Sequence, residues 1–172
     1  MPAEIRALRV EDDRAAFQSG DEALDLYFHR FAGQNQFKHH VGVTYVAVAD
    51  GWLLGFATVA PGSMEAEDMP GARKLPRYPA PILRLGRLAV SKDAQGRGVG
   101  AALLRYVLGL ALRQRDELGC VGIVVDAKPG AVAFYTRYGF TPMHVLEGES
   151  LTRPAATMMF LAIGSVPDIR RG

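Results

Sequence analysis

Short runs with the character of β-strands alternate along the chain with stretches in which apolar residues recur at helical spacing. The strand-like runs are either apolar throughout or alternate apolar with polar residues, and turn residues bound them. Asp50-Gly51 separates two of these runs and is a strong signal for a two-residue hairpin. The predicted strands are residues 5–10, 43–49, 52–60, 82–90, 121–125, 140–145 and 157–163.

Three helices are predicted, each with a recognisable start or stop. Residues 21–32 place aromatic side chains at helical spacing, with Asp21 available as N-cap. Residues 99–118 form the principal helix, which Gly119 should end. A short helix should open at Pro129 and run to Tyr138. The order β, α, hairpin, β–loop–α, β, α, ββ predicts a mixed α/β sheet that is not doubly wound, with residues 61–81 as an irregular excursion.

The turn between the strand at residues 82–90 and the principal helix contains Gly96, Gly98 and Gly100. The start of a helix has unpaired backbone N–H groups and a partial positive charge, so it is a natural seat for a phosphate. Glycine lets the backbone approach phosphate oxygens closely. Lys92 and Arg97 add positive charge. The turn therefore predicts a pyrophosphate-binding site.

A dinucleotide site is the first alternative for this turn. Gly96-x-Gly98-x-x-Ala101 fits the dinucleotide fingerprint formally, and Asp126 stands near the expected acidic position. That fingerprint usually follows the first strand of a repeated βαβ unit. Here it follows a hairpin-rich segment, and too little chain remains for several more βα units. The position disfavours a nicotinamide or flavin enzyme.

Length and composition indicate one soluble globular domain over residues 1–172, with a frayed tail at residues 167–172. The chain is 49% hydrophobic and 22% charged, with a formal net charge of +2. It has no membrane-spanning apolar run, and residues 1–10 lack a signal-peptide pattern. The single cysteine, Cys120, fits a reducing cytoplasm and is interpreted as a small buried strand residue.

The charge is distributed unevenly. Residues 69–92 contain no acidic side chain, and this stretch is either a solvated loop or a cationic platform for a polyanion. Its basic residues are Arg73, Lys74, Arg77, Arg84, Arg87 and Lys92. No histidine lies at metal-ligand spacing from a carboxylate or a third ligand, so no metal site is predicted.

Two motifs resemble those of the GNAT superfamily of N-acetyltransferases. Residues 95–100, Gln-Gly-Arg-Gly-Val-Gly, fit its Gln/Arg-x-x-Gly-x-Gly/Ala loop, which binds the pyrophosphate of acetyl-CoA. Residues 131–140, Ala-Val-Ala-Phe-Tyr-Thr-Arg-Tyr-Gly-Phe, resemble its A-x-x-F-Y-x-x-x-G-F signature. The resemblance implies a single-domain fold in which helices flank a mixed, mostly antiparallel sheet. It also implies that residues 88–90 splay from the strand beginning at Val121, and that pantetheine pairs with the exposed backbone.

The resemblance also implies roles for individual residues. Tyr135 matches the acid that protonates the leaving thiolate, whereas Tyr138 should serve packing. Many family members carry Asn where this chain has Lys128, so that contact is lost or replaced by a charged one to a CoA phosphate. The implied cofactor-binding residues are Leu88, Ala89, Val90, Gln95, Gly96, Arg97, Gly98, Val99, Gly100, Ala101, Lys128, Ala131 and Phe134.

A narrower resemblance is to the GNAT-type toxins of bacterial toxin–antitoxin pairs, which acetylate the α-amine of aminoacyl-tRNA. It is carried by residues 17–28, 31–36, 44–46, 75–79, 86–90 and 125–127. It implies acetyl-CoA as co-substrate, aminoacyl-tRNA as acceptor, a ribbon–helix–helix antitoxin and a possible homodimer. Arg77, Arg84 and Arg87 are the candidate tRNA contacts.

The predicted β-strand at residues 82–90 supports the resemblance to the toxins that acetylate aminoacyl-tRNA. Residues 82–90 carry no carboxylate that could act as a base. A lysine amine has a pKa of about 10.4, whereas an α-amine starts near ~7.7–8.0 and esterification lowers it further. An aminoacyl ester therefore suits a site without a base. Two alternatives stay open: an acetyltransferase of a small amine or a protein N-terminus, and a non-catalytic acyl-CoA sensor or nucleic-acid-binding module.

Overall fold

The computed structural model describes residues 3–65, 68, 79–143 and 156–167. Short 3₁₀ turns connect several of its elements, and a π-helical turn, Tyr27–Phe31, joins the first two helices. In chain order the helices and strands are β1 (Glu4–Ala7), α1 (Glu22–Leu26), α2 (Ala32–Phe37), β2 (Val43–Ala49), β3 (Trp52–Met64), β4 (Ala80–Val90), α3 (Val99–Glu117), β5 (Gly122–Ala127), α4 (Val132–Arg137), β6 (Thr141–Pro142) and β7 (Thr157–Ala162).

Contacts within the chain group it into two compact units. The first comprises Met1–Ala60 and Leu85–Val107, and the second comprises Pro61–Arg84 and Leu108–Gly172. The strand order is β1-β2-β3-β4 in the first unit and β4-β5-β7-β6 in the second, because β4 supplies residues to both. Every strand pair with an assigned register, namely β1/β2, β2/β3, β5/β7 and β6/β7, is antiparallel.

The first unit is organised by the β2–β3 hairpin. Asp50 and Gly51 have φ angles of 51° and 81°, and the tight two-residue turn requires such positive values at both positions. Thr44 lies opposite Thr58 in the ladder, and their hydroxyl groups form a hydrogen bond of 2.8 Å. The predicted hairpin is therefore confirmed.

Aromatic rings fill the core of the first unit. Phe28 stacks on Phe56 with ring centroids 4.3 Å apart, and Phe17 meets both rings edge-on. Such pairs add about 0.5–1.5 kcal/mol each beyond the burial of their area. These contacts fix the helical segment at residues 22–37 to the sheet.

The second unit packs around β5. A Cβ built on Gly122 would lie within 2.4 Å of the Phe160 ring, so only glycine fits at this position. Gly119, with φ +105°, ends α3, and its N–H donates to the carbonyl of Gln114 at 2.7 Å. Cys120 is buried just before β5, and its thiol donates to the carbonyl of Gly122. Burial raises the pKa of this thiol.

The helix predicted over residues 21–32 is wrong in its form and length. The segment is divided into α1, the π-helical turn and α2, and it continues to Phe37. Asp21 caps α1 as expected, because its side chain accepts from the N–H groups of Ala23 and Leu24. A π-helical turn adds one residue to a helical turn, and sequence periodicity contains no signal for that addition.

Several strand and helix bounds also differ from the predictions. The first strand is Glu4–Ala7, because the chain turns at residue 10. Strand β3 continues to Met64, so residues 61–64 of the predicted irregular excursion are extended. Helix α4 begins at Val132, after a 3₁₀ turn at Pro129–Ala131. Cys120 is buried, as interpreted, but it precedes the strand.

Some predictions lie outside the described residues. They include most of the excursion, the end of the strand predicted at residues 140–145, and the tail beyond residue 167. Among the described residues, no helix is both long and apolar enough to cross a membrane.

Candidate active site

Two backbone hydrogen bonds fix the start of the turn between β4 and α3. The N–H of Ser91 donates to the carbonyl of Leu54 on β3 at 2.8 Å, and the N–H of Lys92 donates to the carbonyl of Gln18 at 2.8 Å. A single 3₁₀ turn, Lys92–Ala94, follows and buries Ala94 beneath it. The chain therefore enters the glycine-containing segment from a fixed position.

Gly96 and Gly98 have left-handed backbone conformations, with φ angles of +80° and +82°. A Cβ built on either glycine would meet no atom within 4 Å. Glycine is therefore required here for the backbone conformation and not for space, since an L-residue pays about 1–2 kcal/mol in this region. The predicted glycine turn is present as a defined backbone shape.

The first turn of α3 supplies backbone donors. The first bond of the helix joins the N–H of Ala102 to the carbonyl of Gly98 at 3.0 Å. The N–H groups of Val99, Gly100 and Ala101 therefore have no helical acceptor. They lie at the positive end of a helix of 19 residues. With the exposed Arg97 beside them, they form a ready anion-binding site.

Gly55 on β3 brings this helix close to the sheet. A Cβ at this position would lie 2.9 Å from the carbonyl oxygen of Ala89 and 3.1 Å from a methyl carbon of Val99. Val99 is buried, so the helix start is packed against the strands of the first unit. The absence of a side chain at residue 55 therefore sets the position of the donor groups.

Gln95 uses its side chain within the protein. Its amide Nε2 donates to the carbonyl of Ser19 at 2.8 Å and to the carbonyl of Val90 at 3.1 Å. Ser19 is itself fixed, because its hydroxyl donates to the carboxylate of Asp25 on α1 at 2.7 Å. Gln95 therefore joins the turn to the end of β4 and to the segment that precedes α1.

The end of β4 has backbone groups on the side away from β3. The N–H of Ser91 bonds to β3, and alternation along an extended strand then directs the backbone groups of Leu88 and Val90 the other way. On that side the Val90 carbonyl accepts from Gln95, whereas no such contact involves its N–H among the described residues. Ala89 is buried, and the side chains of Leu88 and Val90 are half-buried. This orientation is the one that pairing with an extended ligand requires.

Tyr135 lies on α4 in the second unit and is 4% exposed. Its ring meets Phe134 and Phe140 edge-on, with centroids 5.1 Å and 5.5 Å away. Its hydroxyl has no hydrogen-bond partner among the described residues. Burial raises the pKa of the phenol above its ordinary value, which keeps it protonated at neutral pH.

The other predicted residues near α4 differ in exposure. Ala131 and Phe134 are half-buried, whereas Lys128 is exposed immediately before the 3₁₀ turn that leads into α4. Tyr138 is half-buried, and its ring contacts Phe134 at 5.3 Å. These positions agree with packing for Tyr138 and leave the Lys128 side chain at the surface.

The candidate tRNA-contact arginines have different surroundings. Arg77 lies outside the described residues. Arg84 is 3.4 Å from the carboxylate of Asp126, which offsets part of its charge. The guanidinium of Arg87 lies 3.8 Å from the centre of the Tyr27 ring. Arg84 and Arg87 therefore contact separate partners in separate units.

Sequence reasoning missed the contacts that hold the turn in place. The motif position of Gln95 predicts a contact with the cofactor, and nothing in the sequence pairs it with Ser19, which lies 76 residues away. Nothing in the sequence predicts the contact between Arg87 and Tyr27 either. The one local signal is Ser19, which stands two residues before the N-cap Asp21 and accepts a hydrogen bond from the Asp21 N–H at the start of α1.

Comparison with known proteins decides the family. The acetyltransferase (GNAT) domain matches residues 40–142, which is more than half of the chain and includes both the glycine turn and α4. The chain belongs to this GNAT family. Membership confirms the predicted mixed α/β fold with a mostly antiparallel sheet, whereas the single-domain bounds 1–172 and the individual site residues stay predictions.

Within the GNAT family, the chain is similar to one tRNA-acetylating toxin and to two solved structures of AtaT. The tRNA-acetylating toxin of Mycobacterium tuberculosis (strain ATCC 25618 / H37Rv) is 36% identical over 151 residues, covering 82% of this chain and 89% of that protein. AtaT complexed with acetyl-methionyl-tRNAfMet has a TM-score of 0.81 at 25% identity, covering 95% of this chain and 96% of that chain. AtaTR bound with AcCoA has a TM-score of 0.77 at 26% identity, covering 96% of both.

Proposed function

We propose that this GNAT protein transfers the acetyl group of acetyl-CoA to the α-amine of aminoacyl-tRNA and acts as a toxin that stops translation in the cytoplasm. The observation that carries the proposal is the 36% identity, over 82% of this chain, to a tRNA-acetylating toxin. An acetylated α-amine is an amide and can no longer attack a peptidyl ester. The modified tRNA is therefore useless for chain elongation.

The diphosphate of acetyl-CoA would bind at the turn between β4 and α3. The N–H groups of Val99, Gly100 and Ala101 lack helical acceptors, and Arg97 adds a cation. Gly96 and Gly98 adopt the left-handed backbone conformations that shape this turn. The backbone of Leu88 and the N–H of Val90 are directed as pairing with pantetheine requires, while the Val90 carbonyl accepts from Gln95. These features support the assignment of the cofactor to this turn.

In the proposed reaction the neutral α-amine attacks the carbonyl carbon of the thioester. A C–N bond forms, the C–S bond breaks, and the nitrogen releases one proton while the departing sulfur takes one up. We assign Tyr135 as the donor to that sulfur. Its pKa is raised by burial, so the phenol keeps its proton and offers an O–H to the thiolate.

The acceptor also fits the side chains of β4. No carboxylate lies in residues 82–90, and an α-amine with a pKa near ~7.7–8.0 is partly neutral without a base. Arg77, Arg84 and Arg87 are the proposed contacts to tRNA phosphates. The half-exposed Arg84 and Arg87 support this role, since arginine binds phosphate through its planar fork of donors.

A ribbon–helix–helix antitoxin and a homodimer belong to the same proposal. The likeness to AtaTR supports an antitoxin partner, whereas its ribbon–helix–helix fold and the homodimer rest on the family resemblance of the sequence. Affinity purification of the tagged protein from its native host, followed by mass spectrometry for a co-purifying ribbon–helix–helix protein, tests the antitoxin. Light scattering on the purified chain tests the dimer.

The deciding experiment supplies purified protein with labelled acetyl-CoA and total charged tRNA. We expect label in the tRNA fraction, released by mild base as an N-acetyl amino acid and identified by mass spectrometry. Deacylated tRNA and tRNA carrying an N-blocked amino acid are the controls and should remain unlabelled. Label on small amines or protein N-termini alone would replace this proposal with the alternative acceptor class.

A further inference from the structure

The π-helical turn Tyr27–Phe31 is a feature that the proposed reaction does not use. Its wide turn closes through the N–H of Ala32, which donates to the carbonyl of Tyr27. Such turns are rare and are frequently found at functional sites. Here the turn buries Tyr27 and Phe28 while it leaves Phe31 42% exposed, which is unusual for a phenylalanine.

Arg87 lies against this turn from β4. Its guanidinium carbon is 3.8 Å from the centre of the Tyr27 ring, which holds the cation by a cation–π contact. Arg87 forms no ion pair with any carboxylate of the described residues. It is half-buried, so its charge is fixed in place and not neutralised by the chain.

Phe31 extends the same surface. Its ring centroid lies 6.5 Å from that of Tyr27, and the two rings are inclined by only 31°. The neighbouring Arg30 is exposed as well. Phe31 and Arg87 thus both contact Tyr27. An exposed aromatic ring together with an unneutralised arginine is the combination with which proteins bind single-stranded nucleic acid, because bases stack on the ring and the cation meets the phosphate.

We propose that Tyr27, Phe31 and Arg87 form an aromatic platform for the single-stranded acceptor end of tRNA, on which a base stacks against Phe31 and its phosphate meets Arg87. The inference rests on the proposed function, because it names how this chain would hold that substrate. All three residues belong to the first unit. The platform would select nucleic acid over a free amine of the same chemistry.

The first test compares acetylation of aminoacyl-tRNA with that of an amino-acid ethyl ester. Base stacking contributes enough that Phe31→Ala should raise KM for aminoacyl-tRNA by about 5- to 100-fold, with kcat nearly unchanged. Phe31→Trp keeps a stacking face and should restore KM to within about threefold. The ester should be acetylated equally by all variants. Leu26→Ala is the matched control, since Leu26 is 46% exposed on the adjoining helix and is not aromatic.

The second test does not depend on acetyl transfer. A tRNA with 2-aminopurine as its terminal base should lose fluorescence when it binds the wild type, because stacking quenches this base. Phe31→Ala should abolish the quenching, and Arg87→Lys should weaken binding although it keeps the charge. Thermal unfolding of each variant checks that the fold is intact.

Three outcomes would overturn the platform. An unchanged KM and unchanged quenching in Phe31→Ala would remove it outright. An equal loss on the ester would assign Phe31 to the amino-acid side chain. Loss of antitoxin binding with tRNA kinetics intact would make this face a protein contact. If the wild type itself left charged tRNA unlabelled while the aminopurine was still quenched, the proposed function would fail and the platform would stand.

Discussion

The hydrogen bonds of Gln95 allow a quantitative prediction. Gln95→Ala removes the bonds to the carbonyls of Ser19 and Val90, at 2.8 Å and 3.1 Å. Each contributes about 0.5–1.5 kcal/mol net, and the exposure of Gln95 favours the lower part of that range. Together they favour the observed turn by about 1–2 kcal/mol. Since about 1.4 kcal/mol is a tenfold change, KM for acetyl-CoA should rise by roughly 5- to 30-fold at most.

The assay separates this effect from general destabilisation. We expect kcat to stay within about twofold, because Gln95 positions the turn and is not proposed to touch the reacting atoms. Calorimetry should show the same loss in the Kd of coenzyme A. Gln95→Arg keeps a donor and should rescue binding, whereas Gln95→Glu should not, because a carboxylate only accepts.

Gln114→Ala is the matched control for Gln95→Ala. The Gln114 amide also donates to two backbone carbonyls, those of Ile82 and Gly119, but near the other end of α3. Its loss should lower the free energy of unfolding and leave the affinity for coenzyme A unchanged. Equal affinities of wild type and Gln95→Ala would refute the positioning role.

Three further predictions concern single residues. Tyr135→Phe keeps the ring contacts and loses only the hydroxyl, so kcat should fall by about 10²–10⁴ with the Kd of coenzyme A unchanged; full turnover would dismiss Tyr135 as the donor. The side-chain hydrogen bond from Arg6 lowers the pKa of Asp12, so stability should decline as the pH falls below about 4. Acid titration of Asp12→Asn should show a flatter decline, and a profile identical to wild type would count against the pair. Gly98→Ala should cost about 1–2 kcal/mol in chemical denaturation, and an unchanged midpoint would contradict the strain.

The sequence predicted the elements whose limits are set locally. Strand β2 has the predicted bounds, because the positive φ angles of Asp50 and Gly51 close its hairpin. Gly119 ends α3 as expected. Tertiary contacts decide the remaining differences. The π-helical turn places Phe28 on Phe56, a packing requirement that helical periodicity does not express.

In the candidate site, too, the sequence predicts the local features and does not predict the long-range contacts. The glycine turn could be predicted, because left-handed conformations and a following helix leave a signature within a few residues. Its supports could not, because Gln95 bonds to Ser19 and Arg87 contacts Tyr27 across long separations in sequence. The rings that bury Tyr135, those of Phe134 and Phe140, belong to the same motif, but the motif does not specify how far they bury the phenol.

Cys120 has a practical consequence for experiments on this enzyme. It is the only cysteine, it is buried, and burial raises the pKa of its thiol, so maleimides and similar electrophiles should react with it very slowly. Towards thiol-reactive reagents, the wild-type protein should therefore behave almost like a protein without cysteine. A cysteine introduced at the exposed Arg97 would therefore carry a spectroscopic probe at that position alone, and Cys120 would not first have to be replaced.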